Sequence, residues 1–234
     1  VVATNILHGN AQAPEALARL VAEWLPEVVI VCEVVREAGA ALAGALPDGY
    51  QAVHVADPLR VADPDHQSFG GGRFCDVTIL ARPGLATGPV RFIHGQRRRF
   101  PYASIAGMTV AGVHITPPTY RHRRAQWMSD LADVAAWANN IDGPLLIGGD
   151  FNAGVHHPPF RALLDDADLA RVPVGRRGSW TPHKLFSGSW WPLLIDHVLV
   201  RGLTPTAAAL TEVLGSDHRA VVADAQRVSG SPGG

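Results

Sequence analysis

Polar side chains close several of this chain's apolar runs. Asn5 ends VVATNIL, Glu33 lies in EVVIVCEVV, Asp150 and Asn152 follow the glycines of PLLIGGDFNAG, Asp196 interrupts LLIDHVLV, and Asp217 and His218 stand together in GSDHRAVV. One polar residue at a strand end is ordinarily a cap or turn former. Several carboxylates meeting at one sheet edge are different, because they repel one another unless protonated or bridged by a cation. Oxygen ligands without a Cys/His cluster point to Mg²⁺ or Mn²⁺ rather than structural zinc. The i, i+2 spacing of Asp150 and Asn152 turns both side chains one way on an extended chain, with Phe151 packing oppositely. His218 and Asp217 would point apart on a strand, unless the pair lies in a turn. A carboxylate aimed at His218 would fix its tautomer and raise its basicity. His114, in AGVHITPP, precedes a Pro-Pro turn, which puts an imidazole at a rim where it can donate to a phosphate oxygen.

The elements that must carry these residues follow from periodicity. VVATNIL reads as a strand, PEALARLVAEWL as a helix with Pro14 in its first turn, and EVVIVCEVV as a buried strand. EAGAALAGALP reads as a second helix. Tyr50 to Ser68 reads as a strand with a long polar loop. FCDVTILAR, VRFIHG, PYASIAG and MTVAGVHI are successive strands joined by Gly- and Pro-containing turns. RRAQWMSDLADVAAWANNI is the clearest helix. PLLIGGD is a buried strand, PPFRALLDDADL a helix that starts on proline, and LLIDHVLVRG and HRAVVADAQRV are closing strands. No internal repeat or dividing linker interrupts this order. Two packed sheets with helices outside is the geometric reading, with residues 1–228 as one domain and 229–234 as a flexible tail.

Composition sets the limits. The 234 residues are 47% hydrophobic with 24 glycines and 18 prolines, a globular mixture rich in turns. No apolar stretch reaches transmembrane length. The opening strand-like run has no signal peptide ahead of it. With the VSGSPGG tail, it fits the excised soluble domain of an exported or membrane-attached protein, a cytoplasmic setting being the alternative. Net charge is −1, from 20 basic and 21 acidic residues, which argues against a nucleic-acid coat or a strong membrane-surface binder. Basic clusters remain at Arg97 to Arg99, Arg121 to Arg124 and Arg176 to Arg177. Cys32 and Cys75 form no CxxC motif and read as buried free thiols, a single disulfide being the alternative.

The chain resembles the endonuclease/exonuclease/phosphatase superfamily, the metal-dependent fold of pancreatic deoxyribonuclease, abasic-site endonucleases, neutral sphingomyelinases and inositol-polyphosphate phosphatases. The resemblance runs in the family's order through ATNILHG, VCEV, GVHITPP, GGDFNAG, LLIDHVLV and GSDHRAVV, with Cys32 where the family usually has glutamine. It implies a four-layered α/β sandwich with two central mixed sheets, and Mg²⁺, often replaceable by Mn²⁺ and sometimes joined by Ca²⁺. By that resemblance Glu33 is the principal metal ligand, with Asn5 and Asp217 near the metal. Asp150 aligns or deprotonates the attacking water, and Asn152 holds a phosphoryl oxygen. His114 contacts the phosphate or assists the leaving group. Asp196 orients His218, which stabilises the phosphoryl group or transfers a proton.

Substrate is a separate question. The basic clusters, with Arg97, Arg121, Arg124 and Arg176 as contacts, favour a nuclease acting on DNA, endo- or exonucleolytic. Trp180, in GSWTPHKLFSGSWWPL, gives a substrate-facing rim and keeps a phospholipid or sphingomyelin phosphodiesterase or phosphatase as the alternative. A catalytically silent binding module on this fold is the third reading. No stable protein partner and no membrane span are expected.

Overall fold

The computed structural model describes residues 1–7, 9–34, 42, 44–46, 49–54, 76–94, 99–175, 177–181 and 193–228. Two six-stranded sheets form its centre. The first contains β1 (Val2–Asn5), β2 (Val28–Val34), β3 (Gln51–His54), β4 (Asp76–Ala81), β11 (Leu203–Glu212) and β12 (Arg219–Arg227), in the order β11-β12-β1-β2-β4-β3. The second contains β5 (Arg91–His94), β6 (Arg99–Ile105), β7 (Met108–His114), β8 (Leu145–Asp150), β9 (Ala170–Arg171) and β10 (Asp196–Arg201), in the order β5-β6-β7-β8-β10-β9. Each sheet is mixed. Among the described residues, only β1–β2 in the first and β7–β8 in the second pair in parallel.

Parallel neighbours need a crossover, and a helix supplies each one. α1 (Ala13–Trp24) joins β1 to β2, and α2 (Arg121–Asn139) joins β7 to β8. Proline starts α1, and Leu17, Leu20 and Val21 bury its inner face. Leu25 ends it in a left-handed conformation, and Pro26 cannot continue the helix. α3 (Pro158–Asp166) packs beside α2 on the second sheet. Of the helix expected in EAGAALAGALP, Leu42, Gly44 and Ala45 are helical and the others lie largely outside the described residues. The described helices include none long and apolar enough to cross a membrane.

Alternation along each strand sorts the apolar residues into three layers. Ala3, Ile30, Val77, Val110, Leu146 and Val198 fill the space between the sheets. Val2, Val29 and Val31 face α1. Val113, Leu145, Ile147 and Leu199 face α2 and α3. This is the four-layered sandwich with two central mixed sheets expected from the sequence.

Glycine sets how closely the sheets approach. Gly112 and Gly148 are paired across β7 and β8 and face the first sheet. A Cβ on Gly148 would meet Ile30 Cδ1 at 2.7 Å, and one on Gly112 would meet Val77 at 2.5 Å and Ile30 at 3.0 Å. Gly149 is constrained by backbone instead. Its φ is +137°, and a Cβ there would lie 2.0 Å from the Val113 carbonyl oxygen.

One strand has little signature in the sequence. β11 is rich in alanine and carries Pro205, a composition that does not favour a strand. It forms as an edge strand along β12, with an irregularity between Pro205 and Ala207, where a missing N–H is tolerated.

Candidate active site

The registers of the second sheet put three polar residues in one row. His114 is opposite Asp150 across β7 and β8, and Asp150 is opposite Asp196 across β8 and β10. Directly opposed residues share a face, so all three point towards the first sheet at the ends of their strands. All three are buried.

The first sheet answers from across the gap. Asn5, at the end of β1, donates through its amide nitrogen to Glu33 Oε1 at 3.0 Å and to Asp150 Oδ2 at 3.2 Å. Its own Oδ1 accepts from the Leu7 N–H at 3.0 Å. Glu33 is left-handed, with φ 63°, at the point where the β2–β4 register slips. That bulge lets Glu33 join the inward side although Cys32 beside it also points inward. Cys32 is a free, buried thiol whose Sγ donates to the Val113 carbonyl oxygen at 3.2 Å, and Cys75 lies outside the described residues. His114 Nε2 stands 3.9 Å from Glu33 and 3.8 Å from Asp150.

Asn152 reaches the site by a turn rather than by strand alternation. β8 ends at Asp150, and Asn152 is left-handed with φ 46°. Its N–H donates to Asp150 Oδ1 at 2.8 Å, and its side-chain amide donates to the Ile115 carbonyl oxygen at 2.9 Å. Phe151 turns away as expected, against Phe160 and His197.

His218 immediately precedes β12, in a β-bridge with Trp180. Its Nδ1 is 2.8 Å from Asp196 Oδ2, and its Nε2 is 4.0 Å from Asp217 Oδ1. Asp217 lies in the bend just before His218, and the two side chains come within 4.0 Å of each other. Asp217 Oδ2 accepts from the Trp180 indole N–H at 3.0 Å. Ser216 ties this bend to β1, its Oγ donating to the Asn5 carbonyl oxygen at 2.8 Å.

Burial and charge set the protonation of this cluster. Burial, with Asp196 beside it, lifts the Asp150 carboxyl to about 7, against the pull of His218 and the Asn152 and Asn5 N–H groups. Burial works to lower His218, but the Asp196 carboxylate, backed by Asp150 and Asp217, outweighs it and pushes the imidazole up to about 10. Among the described residues, Asp196 Oδ1 and Asp217 Oδ1 are buried with no hydrogen-bond partner. Asp150, Asp196 and His218 each bring one ligand atom within 4.8 Å of the others. Uncompensated carboxylate oxygens around a small acidic space fit a hard divalent cation.

The structure thus brings together Asn5, Glu33, His114, Asp150, Asn152, Asp196, Asp217 and His218. Trp180 adjoins them through Asp217. Arg121 and Arg124 are exposed on the first turn of α2, which begins seven residues beyond His114. Arg97 and Arg176 lie outside the described residues. Sequence reasoning missed His197, Ser179 and Ser216. Ser216 sits inside a quoted motif, whereas Ser179 looks like any serine in a glycine-containing turn.

A family model described as the Endonuclease/Exonuclease/phosphatase family matches residues 2–218. No curated protein matches the sequence. Among solved structures, D. rerio TDP2 complexed with single-strand DNA product is 16% identical, with 95% of this chain and 96% of that one covered and a TM-score of 0.69. The 3'-5' exonuclease NExo from Neisseria meningitidis is 18% identical, with 96% and 98% covered and a TM-score of 0.66. A mannosyl-6-phosphatase from Bacteroides thetaiotaomicron is 13% identical, with 96% and 99% covered and a TM-score of 0.66. At these identities the likeness is one of fold.

Proposed function

The chain belongs to the endonuclease/exonuclease/phosphatase family, and from that premise we propose that it is a divalent-metal-dependent phosphodiester hydrolase acting as a nuclease on DNA. The observation that carries the reading is the row His114–Asp150–Asp196 facing Glu33 and His218 across the two sheets. A bound Mg²⁺ or Mn²⁺ would offset charge on the phosphoryl oxygens. His218 gives its Nδ1 to Asp196 and is read here as the proton donor, with the carboxylates holding the cation. Glu33 is the principal ligand in this reading, with Asn5 and Asp217 nearby and Asp150 and Asp196 supplying further oxygens. A Ca²⁺ contribution is compatible with the same oxygen set.

The chain's own residues divide the work. Asp150, clamped by Asn152 and Asn5 N–H groups, accepts a proton from water near neutral pH. His218 Nδ1 is committed to Asp196, so Nε2 is the atom that donates to a phosphoryl oxygen. His114 Nε2 faces the same space and serves the phosphate or the departing oxygen. In this reading the second N–H of the Asn152 amide holds a phosphoryl oxygen.

DNA is favoured because a related fold holds single-strand DNA product and because Arg121 and Arg124 add positive charge at the helix that follows His114. The test compares plasmid DNA, single-stranded DNA, RNA and phospholipid vesicles, alongside bis-p-nitrophenyl phosphate. DNA cleavage lost on chelation and restored by Mg²⁺ is expected, with Asp150→Asn slowing it by about 10²–10⁴-fold. Vesicle hydrolysis without DNA cleavage would overturn the DNA assignment.

A further inference from the structure

The segment Gly178–Thr181 crosses from one sheet to the other beside the site. Trp180 exchanges backbone hydrogen bonds with Leu193, at 2.9 and 3.0 Å, on the approach to β10. On its other side Thr181 N–H donates to the Asp217 carbonyl oxygen at 3.0 Å, and Arg219 N–H to the Ser179 carbonyl oxygen at 2.6 Å. The side chains extend this stitching. Buried Ser179 accepts at Oγ from the N–H groups of both Ile195 and Asp196, each at 3.0 Å. Trp180 donates its indole N–H to Asp217 Oδ2 at 3.0 Å.

Two successive residues therefore hold the two aspartates that flank His218, Ser179 by the backbone N–H of Asp196 and Trp180 by the carboxylate of Asp217. We propose that Ser179 and Trp180 are positioning residues, a clip that sets Asp196 against His218 Nδ1 and holds Asp217 away from Nε2. The role in turnover rests on the hydrolase reading above. Asp217 Oδ1 is buried, lacks a hydrogen-bond partner among the described residues, and stands 4.0 Å from Nε2. That separation is too long for a hydrogen bond. The indole is the tether that keeps it so, because it binds the other oxygen of the same carboxylate. Nε2 is thereby kept for the substrate. Tryptophan suits this tether because its ring packs 6.3 Å from the His218 ring and its single N–H is a donor only. Phenylalanine fills much of that space and supplies no tether. Trp180, expected at a substrate-facing rim, acts in this proposal through Asp217.

The test has one arm that needs no activity. In a ¹⁵N-labelled chain, the Trp180 indole signal is identified by its loss in Trp180→Phe. In Asp217→Ala that signal should move upfield and exchange faster with solvent. The second arm is kinetic, on bis-p-nitrophenyl phosphate with Mg²⁺. Trp180→Phe should keep its melting temperature within a few degrees and its KM within about twofold. Its kcat should fall about 10- to 100-fold, the range that one hydrogen bond to a charged group is worth. An indole signal indifferent to Asp217→Ala overturns the clip, as does a folded Trp180→Phe chain with wild-type kcat. A wild-type chain that hydrolyses no diester, yet whose indole responds to Asp217→Ala, supports the hydrogen bond and removes the hydrolase reading instead.

Discussion

His197 stands next to Asp196 yet serves the opposite side of its strand. Asp196 faces the site, and His197 faces α3, where its ring stacks on Phe160 at 4.6 Å. Its Nε2 donates to the Ala153 carbonyl oxygen at 2.8 Å, which braces the turn that carries Asn152. Burial drives its pKa down to about 4, so the folded chain keeps it neutral. The unfolded chain binds a proton near pH 6.5 that the folded chain refuses. Stability from this residue is therefore complete above about pH 6.5 and is lost as pH falls towards 4, by an amount of order 3 kcal/mol. Urea midpoints across that range should fall more steeply for the wild-type chain than for His197→Gln, which keeps a donor and cannot charge. Parallel slopes would remove His197 from the account. Asp150, Asp196 and His218 are legible in the sequence because each sits where an apolar run meets polar chemistry. His197 and Ser179 are not, since their importance lies in which backbone groups they meet, and those come from distant segments.

At the scale of elements, strand order and register do what local pattern cannot. Most strands and all three bounded helices are visible from periodicity. β11 is not, because its pairing with β12 rather than its alanine-rich composition makes it a strand. Nor does the sequence reveal that Glu33 needs a bulge or that Asn152 needs a left-handed turn. Arg201 is a further example, donating to the Ala167 carbonyl oxygen at 3.1 Å and the Ala138 carbonyl oxygen at 3.0 Å, with a third bond to that of Ile141. One guanidinium so joins β10 to the carboxyl ends of α2 and α3, where a cation is favoured. The glycines of β7 and β8 give a graded test. A methyl at Gly149 meets backbone in a conformation that disfavours alanine, whereas one at Gly112 meets side chains that can shift. Gly149→Ala should cost more than about 3 kcal/mol, and Gly112→Ala about 1–3 kcal/mol, by chemical denaturation. Equal losses would contradict the distinction between backbone and side-chain contact.

For the whole molecule, the decisive fact is that neither sheet owns the site. The first supplies Asn5 and Glu33, with His218 and Asp217 at the threshold of β12, and the second supplies His114, Asp150 and Asp196. Carboxylates from both meet without a compensating charge for every oxygen. A divalent ion that binds there favours the folded sandwich by mass action, about 2.7 kcal/mol at a hundred times its dissociation constant. Thermal melting should accordingly rise with Mg²⁺ or Mn²⁺ and return on chelation, and Glu33→Gln should blunt the rise. A melting temperature indifferent to either ion would speak against a cation held between the sheets.

Ile30 fills the hollow left by Gly112 and Gly148. Its strand carries Glu33 three residues on, while the two glycine strands carry His114 and Asp150 two residues on. One aliphatic side chain thus behaves as a dowel, pinning the jaws of the vice a short distance behind the place where they bite. Alignment of the site is in this way kept by atoms that lie behind it, in the packing between the two sheets.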